Sequence, residues 1–296
     1  MTRIVDVTGI DVLSTLRPIA YMRHDPTVHL VEGQFVRATI TPDGPGTIEI
    51  RWRSGSASVE VWGPGGDWLD GHAESLLGVH DDVDGFVPTD ERIAAMWKRQ
   101  RGLRMTATHT LWHDLAWLIP GQRVTTQDAA RSWAAMVRTF GEPAPGPHGL
   151  RLPPAPERIA AAAYHELHPC GLERQRAQNL RAAAKAMPTL AGRPWAGTAE
   201  LRAALERIPG VGPWTATNVA TTTYGDPDEV VLGDYGIPSS ITWALAAKRV
   251  GTDAEMLELL EPYRPHRWRV ARLIMRASPR PPRHGHRRRN PRIADL

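Results

Sequence analysis

Apolar residues alternate with polar ones through the first third of the chain and recur at helical spacing through most of the rest. Val28 and Leu30, the run Phe35 to Ile40, then Ile48, Ile50 and Trp52, and finally Val59 and Val61 have the two-residue period of half-buried strands. T-P-D-G-P-G at Thr41 to Gly46 and G-P-G-G at Gly63 to Gly66 supply turns between them, and Trp68, Leu76 and Leu77 predict a helix after Asp67. Residues 1–88 therefore read as a small mixed α+β domain. From Thr89 to residue 277 the period is helical, interrupted by proline clusters at Pro143 to Pro147 and Pro153 to Pro156. Residues 278–296 form a basic C-terminal tail of Pro, Arg and His that offers little to pack. The fold class expected is α+β, a β-rich N-terminal domain followed by a mostly α-helical core.

One turn in the helical part has a more specific pattern. Leu201, Ala204, Leu205 and Ile208 mark one face of a helix that ends near Arg207, where Pro209 stops it. Gly210 and Gly212 permit backbone angles and close approaches that a side chain prevents, and Pro213 suits the first turn of a second helix carrying Ala216, Val219 and Ala220. Main-chain N–H groups would then cluster at a helix N-terminus, which binds phosphate without side-chain charge. The same pattern also suits a plain helix–helix turn. Downstream, Asp234 in V-V-L-G-D-Y-G-I-P stands ahead of a helix, where an aspartate is either an N-terminal cap or a carboxylate free for chemistry.

Charge and cysteine content narrow the classes. The net charge is +4 and the pI near 9.6, and no acidic residue occurs between Pro262 and Ala294, a stretch rich in arginine that includes Arg264, Arg267, Arg269, Arg272 and Arg276. Those near the closing helix are candidates to face a polyanion. Cys170 is the only cysteine, which excludes an internal disulfide framework and a four-cysteine zinc or iron–sulfur site. No run of 18 apolar residues occurs, and Met1 to Ser14 lacks a basic start and an apolar signal core, so a cytoplasmic protein without membrane partners is expected. The acids of Gly78 to Phe86 read as a solvated turn rather than a calcium loop, and His165 with His168 lacks a third metal ligand.

L-E-R-I-P-G-V-G-P-W-T-A at Leu205 to Ala216, with Asp234, resembles the helix-hairpin-helix DNA glycosylase superfamily, in particular its alkylation-repair branch. L-I-P-G-Q-R-V-T from Leu118, G-L-E-R-Q-R-A-Q-N-L from Gly171 and Y-R-P-H-R-W-R-V-A from Tyr263 are similar to further segments of that family. The resemblance covers roughly residues 90–277, places the hairpin at about 201–222, and implies two helical lobes flanking a cleft. It implies a DNA repair enzyme of base excision, a hydrolase bound to double-stranded DNA with a damaged base, acting as a monomer at the bacterial nucleoid. Asp234 becomes the carboxylate that stabilises a cation-like sugar as the N-glycosidic bond breaks. Relatives that also cut the strand carry a hairpin lysine that forms a Schiff base; the matching position here is Trp214, which favours a monofunctional enzyme for alkylated purines such as 3-methyladenine and 7-methylguanine.

The resemblance further implies phosphate contacts from the amides of Gly210, Gly212 and Thr215, and a monovalent cation, Na+ or K+, on the carbonyls of Glu206, Ile208 and Val211. No other cofactor is implied. Trp214 either lines the base pocket or fills core. Arg123 aligns with the wedge residue, leucine in the best-known member, and either fills the gap left by a flipped base or contacts phosphate. Gln122 either meets opposite-strand base edges or makes structural hydrogen bonds, and Arg267 is placed on the DNA backbone. Asn218 stands where the family has a pocket tyrosine and Met275 where it has a second pocket tryptophan, which weakens stacking on a methylated base. Two alternatives remain: a non-catalytic DNA-binding protein that uses the hairpin only to hold backbone, or a glycosylase for bulky or deaminated bases.

Overall fold

The computed structural model describes residues 2–22 and 24–278. Tail arginines beyond residue 278, with His284 and His286, lie outside the described residues.

Strands β1 (Arg3–Asp6), β2 (Val28–Val31), β3 (Gln34–Thr41), β4 (Gly44–Arg53) and β5 (Ser56–Trp62) form one antiparallel sheet in the order β1-β5-β4-β3-β2. Register pairs Ile50 with Phe35 on one side and Val59 on the other, which brings alternate apolar residues to one face. Helices α1 (Val12–Leu16), α2 (Gly66–Gly71) and α3 (Ala73–Leu77) close that face, and Leu16, Phe35, Ile50, Val59 and Leu77 are fully buried there.

Two local expectations change. Gly44, Pro45 and Gly46 belong to β4 rather than to a loop, opposite Thr41, Ile40 and Thr39; a side chain at Gly46 would sit 2.7 Å from Leu69 Cδ1, so the glycine admits α2 against the strand. The helix expected after Asp67 is two, broken at His72, whose Nδ1 lies 2.7 Å from the Trp68 carbonyl oxygen. The short edge strand β1 has too few residues to show a period in the sequence.

The chain then enters α4 (Glu91–Arg99), capped by the Asp90 carboxylate on the amides of Arg92 and Ile93. Next come α5 (Leu111–Leu118), α6 (Thr126–Phe140), α7 (Pro156–Ala161), α8 (Tyr164–Leu167), α9 (Arg174–Leu190), α10 (Thr198–Leu205) and α11 (Pro213–Tyr224). These share one apolar core containing Trp133, Leu180, Leu205 and Val219. Helices α12 (Ile237–Ala246), α13 (Asp253–Leu260) and α14 (Arg267–Ala277) then return to α4 and bury Ile93, Ile241, Leu260 and Ile274 in a separate core. The helical part is thus two-lobed, with the segment from Gly225 to Gly236 crossing between the lobes.

Buried charge joins these bodies. Arg37 of β3 pairs with Asp114 of α5 at 3.2 Å, both about 5% exposed, while Thr108 and Thr223 hydroxyls also donate to Asp114. Burial pushes the Asp114 carboxyl up, and the Arg37 charge opposes the shift. The acids of Gly78 to Phe86 do not form a solvated turn throughout: Asp81, 4% exposed, receives both Arg269 guanidinium nitrogens at 2.9 and 2.6 Å and the Met105 amide at 2.7 Å. Among the described residues no group of three metal-ligating side chains occurs, and no helix is long and apolar enough to cross a membrane.

Candidate functional site

The hairpin between α10 and α11 is anchored by its apolar residues. Ile208 and Val211, 6% and 3% exposed, enter the same core as Leu201, Leu205, Ala216, Val219 and Ala220, so the turn is clamped onto the lobe beneath it. Gly210 has φ +82°, and a Cβ there would lie 2.0 Å from Asn179 Oδ1; the fold itself demands glycine. Gly212 differs from the expectation. Its φ of −91° is open to any residue and a Cβ there would meet nothing within 4 Å. Only an approaching ligand could require glycine at that position.

Pro213 occupies the first turn of α11, as the sequence predicts, and the amides of Gly210, Gly212 and Thr215 donate to no other group among the described residues. The carbonyls of Glu206 and Val211 likewise accept no hydrogen bond among the described residues, while that of Ile208 accepts from the Val211 amide at 3.0 Å. A carbonyl has a second lone pair, so all three oxygens retain capacity for a cation.

Asp234 lies just before α12. Its Oδ1 accepts from the amides of Gly236 at 2.8 Å and Ile237 at 2.9 Å, and its Oδ2 from the Trp214 indole Nε1 at 3.0 Å. Asp234 is not the N-cap of α12, which is Gly236, but its carboxylate is held by the amides that open that helix while the side chain stays partly accessible. The indole that fixes it comes from the second hairpin helix, so the hairpin and Asp234 form one site. Trp214 is half-buried against the core of its lobe. One turn further along α11, the half-buried Asn218 donates its amide to the Trp214 carbonyl at 2.8 Å.

Sequence reasoning missed two aromatic residues here. Tyr21, from the N-terminal domain, meets Trp117 of α5 edge to face at 4.9 Å between ring centres. The Tyr21 ring is half exposed, yet its phenol is desolvated enough to be pushed up to about 12, with the Asp234 charge adding to the shift. Trp117 immediately precedes the segment Leu118 to Thr125 and could have been found from that adjacency; nothing local in the sequence points Tyr21 toward Asp234.

The remaining expected residues are distributed unevenly. Met275 sits on α14, 37% exposed, and no hydrogen bond or ring contact joins it to Trp214 or Asp234 among the described residues. Arg123 is exposed, has φ +59°, and makes no hydrogen bond or ion pair among the described residues. Gln122 takes the structural alternative: its amide donates to the Gly210 carbonyl at 3.0 Å and Thr215 Oγ1 at 2.9 Å, and its oxygen accepts from Asn179 at 2.8 Å.

Arg267 is a correction. It is 8% exposed and its guanidinium meets both oxygens of Asp228, at 3.0 and 2.8 Å, so its charge is spent bracing the segment between the lobes. Its neighbours follow the same rule. Arg264 pairs with Asp228 and Glu261, Arg269 with Asp81, and Arg276 with Asp11, while the half-buried Arg272 donates to the Arg104 carbonyl and is pushed down to about 10 by desolvation. Within the described part of the arginine-rich stretch, Arg267 and Arg269 are buried in such pairs, while Arg264 and Arg276 pair at the exposed surface.

A family model for the HhH-GPD superfamily base excision DNA repair protein matches residues 116–265. A Mycobacterium tuberculosis protein named "Probable bifunctional transcriptional activator/DNA repair enzyme AlkA" is 33% identical over 192 residues, which cover 61% of this chain and 36% of that protein. The chain thus matches little more than a third of that relative's length. Among solved structures, a 3-methyladenine DNA glycosylase from Archaeoglobus fulgidus superimposes with a TM-score of 0.76 at 19% identity, covering 92% of this chain and 97% of that one. An 8-oxoguanine glycosylase/lyase from Clostridium acetobutylicum in complex with DNA gives 0.66 at 12% identity, covering 92% and 93%. These two likenesses concern the fold. The family match spans half of the chain, including the hairpin, Trp214 and Asp234, and the protein belongs to the HhH-GPD superfamily of base excision DNA repair proteins.

Proposed function

We propose that this protein is a monofunctional DNA glycosylase that hydrolyses the N-glycosidic bond of alkylated purines in duplex DNA and leaves an abasic site. The observation that carries the reading is the joining of Asp234 to the hairpin: a carboxylate set by two main-chain amides and the Trp214 indole, beside a turn with free amides suited to phosphate. As the bond breaks, positive charge develops on the sugar and the fixed carboxylate stabilises it without having to reorganise. The same oxygens can orient the water that attacks the sugar. An alkylated purine already carries positive charge and leaves readily, so one carboxylate suffices. The hairpin carbonyls of Glu206, Ile208 and Val211 would hold a monovalent cation that stiffens the turn.

A lyase step needs an amine at the sugar, and Trp214 occupies the position where such relatives carry lysine. Lys98, Lys185 and Lys248 are all exposed and none is bonded to Asp234 or Trp214. Incubation with methylated duplex should release free base with no strand cleavage until alkali is added, and Asp234→Asn should lose most of the release. Equal activity in that variant would remove Asp234 from the chemistry. Retained duplex binding with no release from any lesion would instead make the chain a non-catalytic DNA-binding protein.

A further inference from the structure

We propose that Gln122 is a positioning residue that couples the hairpin to Arg123, so that gripping the phosphate and filling the gap under a flipped base become one event. The inference rests on the glycosylase reading above and deepens it. Gln122 and Arg123 are consecutive residues between α5 and α6, yet they are treated in opposite ways. Both amide donors of Gln122 are spent on the hairpin, at the Gly210 carbonyl and Thr215 Oγ1, and its oxygen accepts from Asn179 of α9. Asn179 in turn accepts from Gln175 at 2.9 Å, and its carboxamide fills the space where a Gly210 side chain would be. Three chain segments therefore meet in one chain of amides, 88 and 93 residues apart across the Gln122 contacts.

Arg123 has none of this. It is exposed, without an intramolecular partner among the described residues, and held at φ +59°, a region a residue with a side chain enters at a cost. The strained, exposed residue stands next to a strut locked to the hairpin turn. Gln122 has no donor left for an opposite base, and its geometry fixes the distance between the free amides of Gly210, Gly212 and Thr215 and the base of the Arg123 side chain. A phosphate on the hairpin then sets where Arg123 enters the duplex.

The test compares the wild type with Gln122→Glu, Arg123→Ala and the double variant in the full chain. Gln122→Glu keeps size but replaces the amide donors with a carboxylate oxygen, which opposes the Gly210 carbonyl and can only accept from the Thr215 hydroxyl. Single-turnover release of 7-methylguanine is measured from a fully paired duplex and from the same strand unpaired. Gln122→Glu should slow release from the paired duplex by up to about 100-fold, the scale of a misplaced positioning group. Release from the unpaired strand, where no gap has to be filled, should change by no more than a few-fold. The double variant should be no slower than the slower single variant, because both changes break one step. In parallel, 2-aminopurine opposite an abasic analogue reports side-chain insertion by fluorescence without any bond cleavage, and its brightening should be lost in both single variants. Equal slowing on paired and unpaired DNA, independent additive losses, or brightening that survives Gln122→Glu would overturn the coupling. A wild type that brightens 2-aminopurine but releases no base would overturn the glycosylase reading and leave the coupling standing; one that does not brighten it overturns the coupling.

Discussion

Gly210→Ala and Gly212→Ala should separate what the hairpin does for the fold from what it does for a ligand. At Gly210 the left-handed backbone costs a residue with a side chain about 1–2 kcal/mol. The new methyl would also displace the Asn179 carboxamide, 2.0 Å away, and break its hydrogen bonds with Gln122 and Gln175. At a net of about 1 kcal/mol per bond, the total reaches about 3–4 kcal/mol. A thermal melt should show a fall on the order of 10 °C. Asn179→Ala alone should cost about 2 kcal/mol, and combining it with Gly210→Ala should add nothing, since the same two bonds are already lost and the clash is gone. Strict additivity, about 5–6 kcal/mol, would refute the packing argument.

Gly212→Ala meets open space at an ordinary φ, so stability should change by less than about 1 kcal/mol, the difference expected at a helix N-cap. Its methyl would stand among the free amides and block one charge-assisted phosphate contact, weakening duplex binding by about 10- to 100-fold in fluorescence anisotropy. A Gly212→Ala protein that binds as the wild type would refute the phosphate-binding role of the turn.

Arg267→Ala should lower stability by about 2 kcal/mol or more, by stranding Asp228, while leaving the salt dependence of DNA binding unchanged. Burial opposes ionisation of Asp228, but the Arg267 hydrogen bonds and charge prevail and hold its carboxyl below the usual 3.8, so the contribution is complete above that value and is lost as pH falls below it; urea titrations of both proteins at descending pH should converge there. His109, at φ +53°, is held down to about 4 by burial and by the neighbouring His72 and His80. The unfolded chain then binds the extra proton first, and stability should fall as pH drops from 6.5 toward 4. His109→Asn, which tolerates the left-handed backbone, should flatten that slope in thermal melts across the same range; an unchanged slope would show that another group carries it.

The parts of this protein legible in its sequence are those whose causes are local. Apolar runs and alternation in Val28 to Val61 named four strands because each packs apolar side chains on the core face, and Pro209, Gly210 and Pro213 named the hairpin because each acts on its own backbone angles. β1 escaped because four residues paired to a strand 50 residues away have no period of their own. Glycine was over-read at 46: the residue permits a turn, but its neighbour Leu69 shows that it is used instead to admit α2 against the strand.

Side-chain direction was the harder problem, and the arginines show why. The acid-free stretch from Pro262 is visible as charge, yet each described arginine faces a carboxylate or carbonyl from elsewhere, Asp228 lying 39 residues before Arg267 and Asp81 188 residues before Arg269. A buried guanidinium needs a partner, and the partner is chosen by the fold, not by the run in which the arginine occurs. Asp234 escaped this ambiguity only in part. Its bonds to the amides of Gly236 and Ile237 are local, but its tie to Trp214 spans 20 residues and depends on the start of α11 meeting the segment before α12. Site and scaffold therefore cannot be told apart by residue type here. They separate by whether hydrogen-bonding capacity is spent inside the molecule, as at Gln122 and Arg267, or left over, as at Arg123 and the hairpin amides.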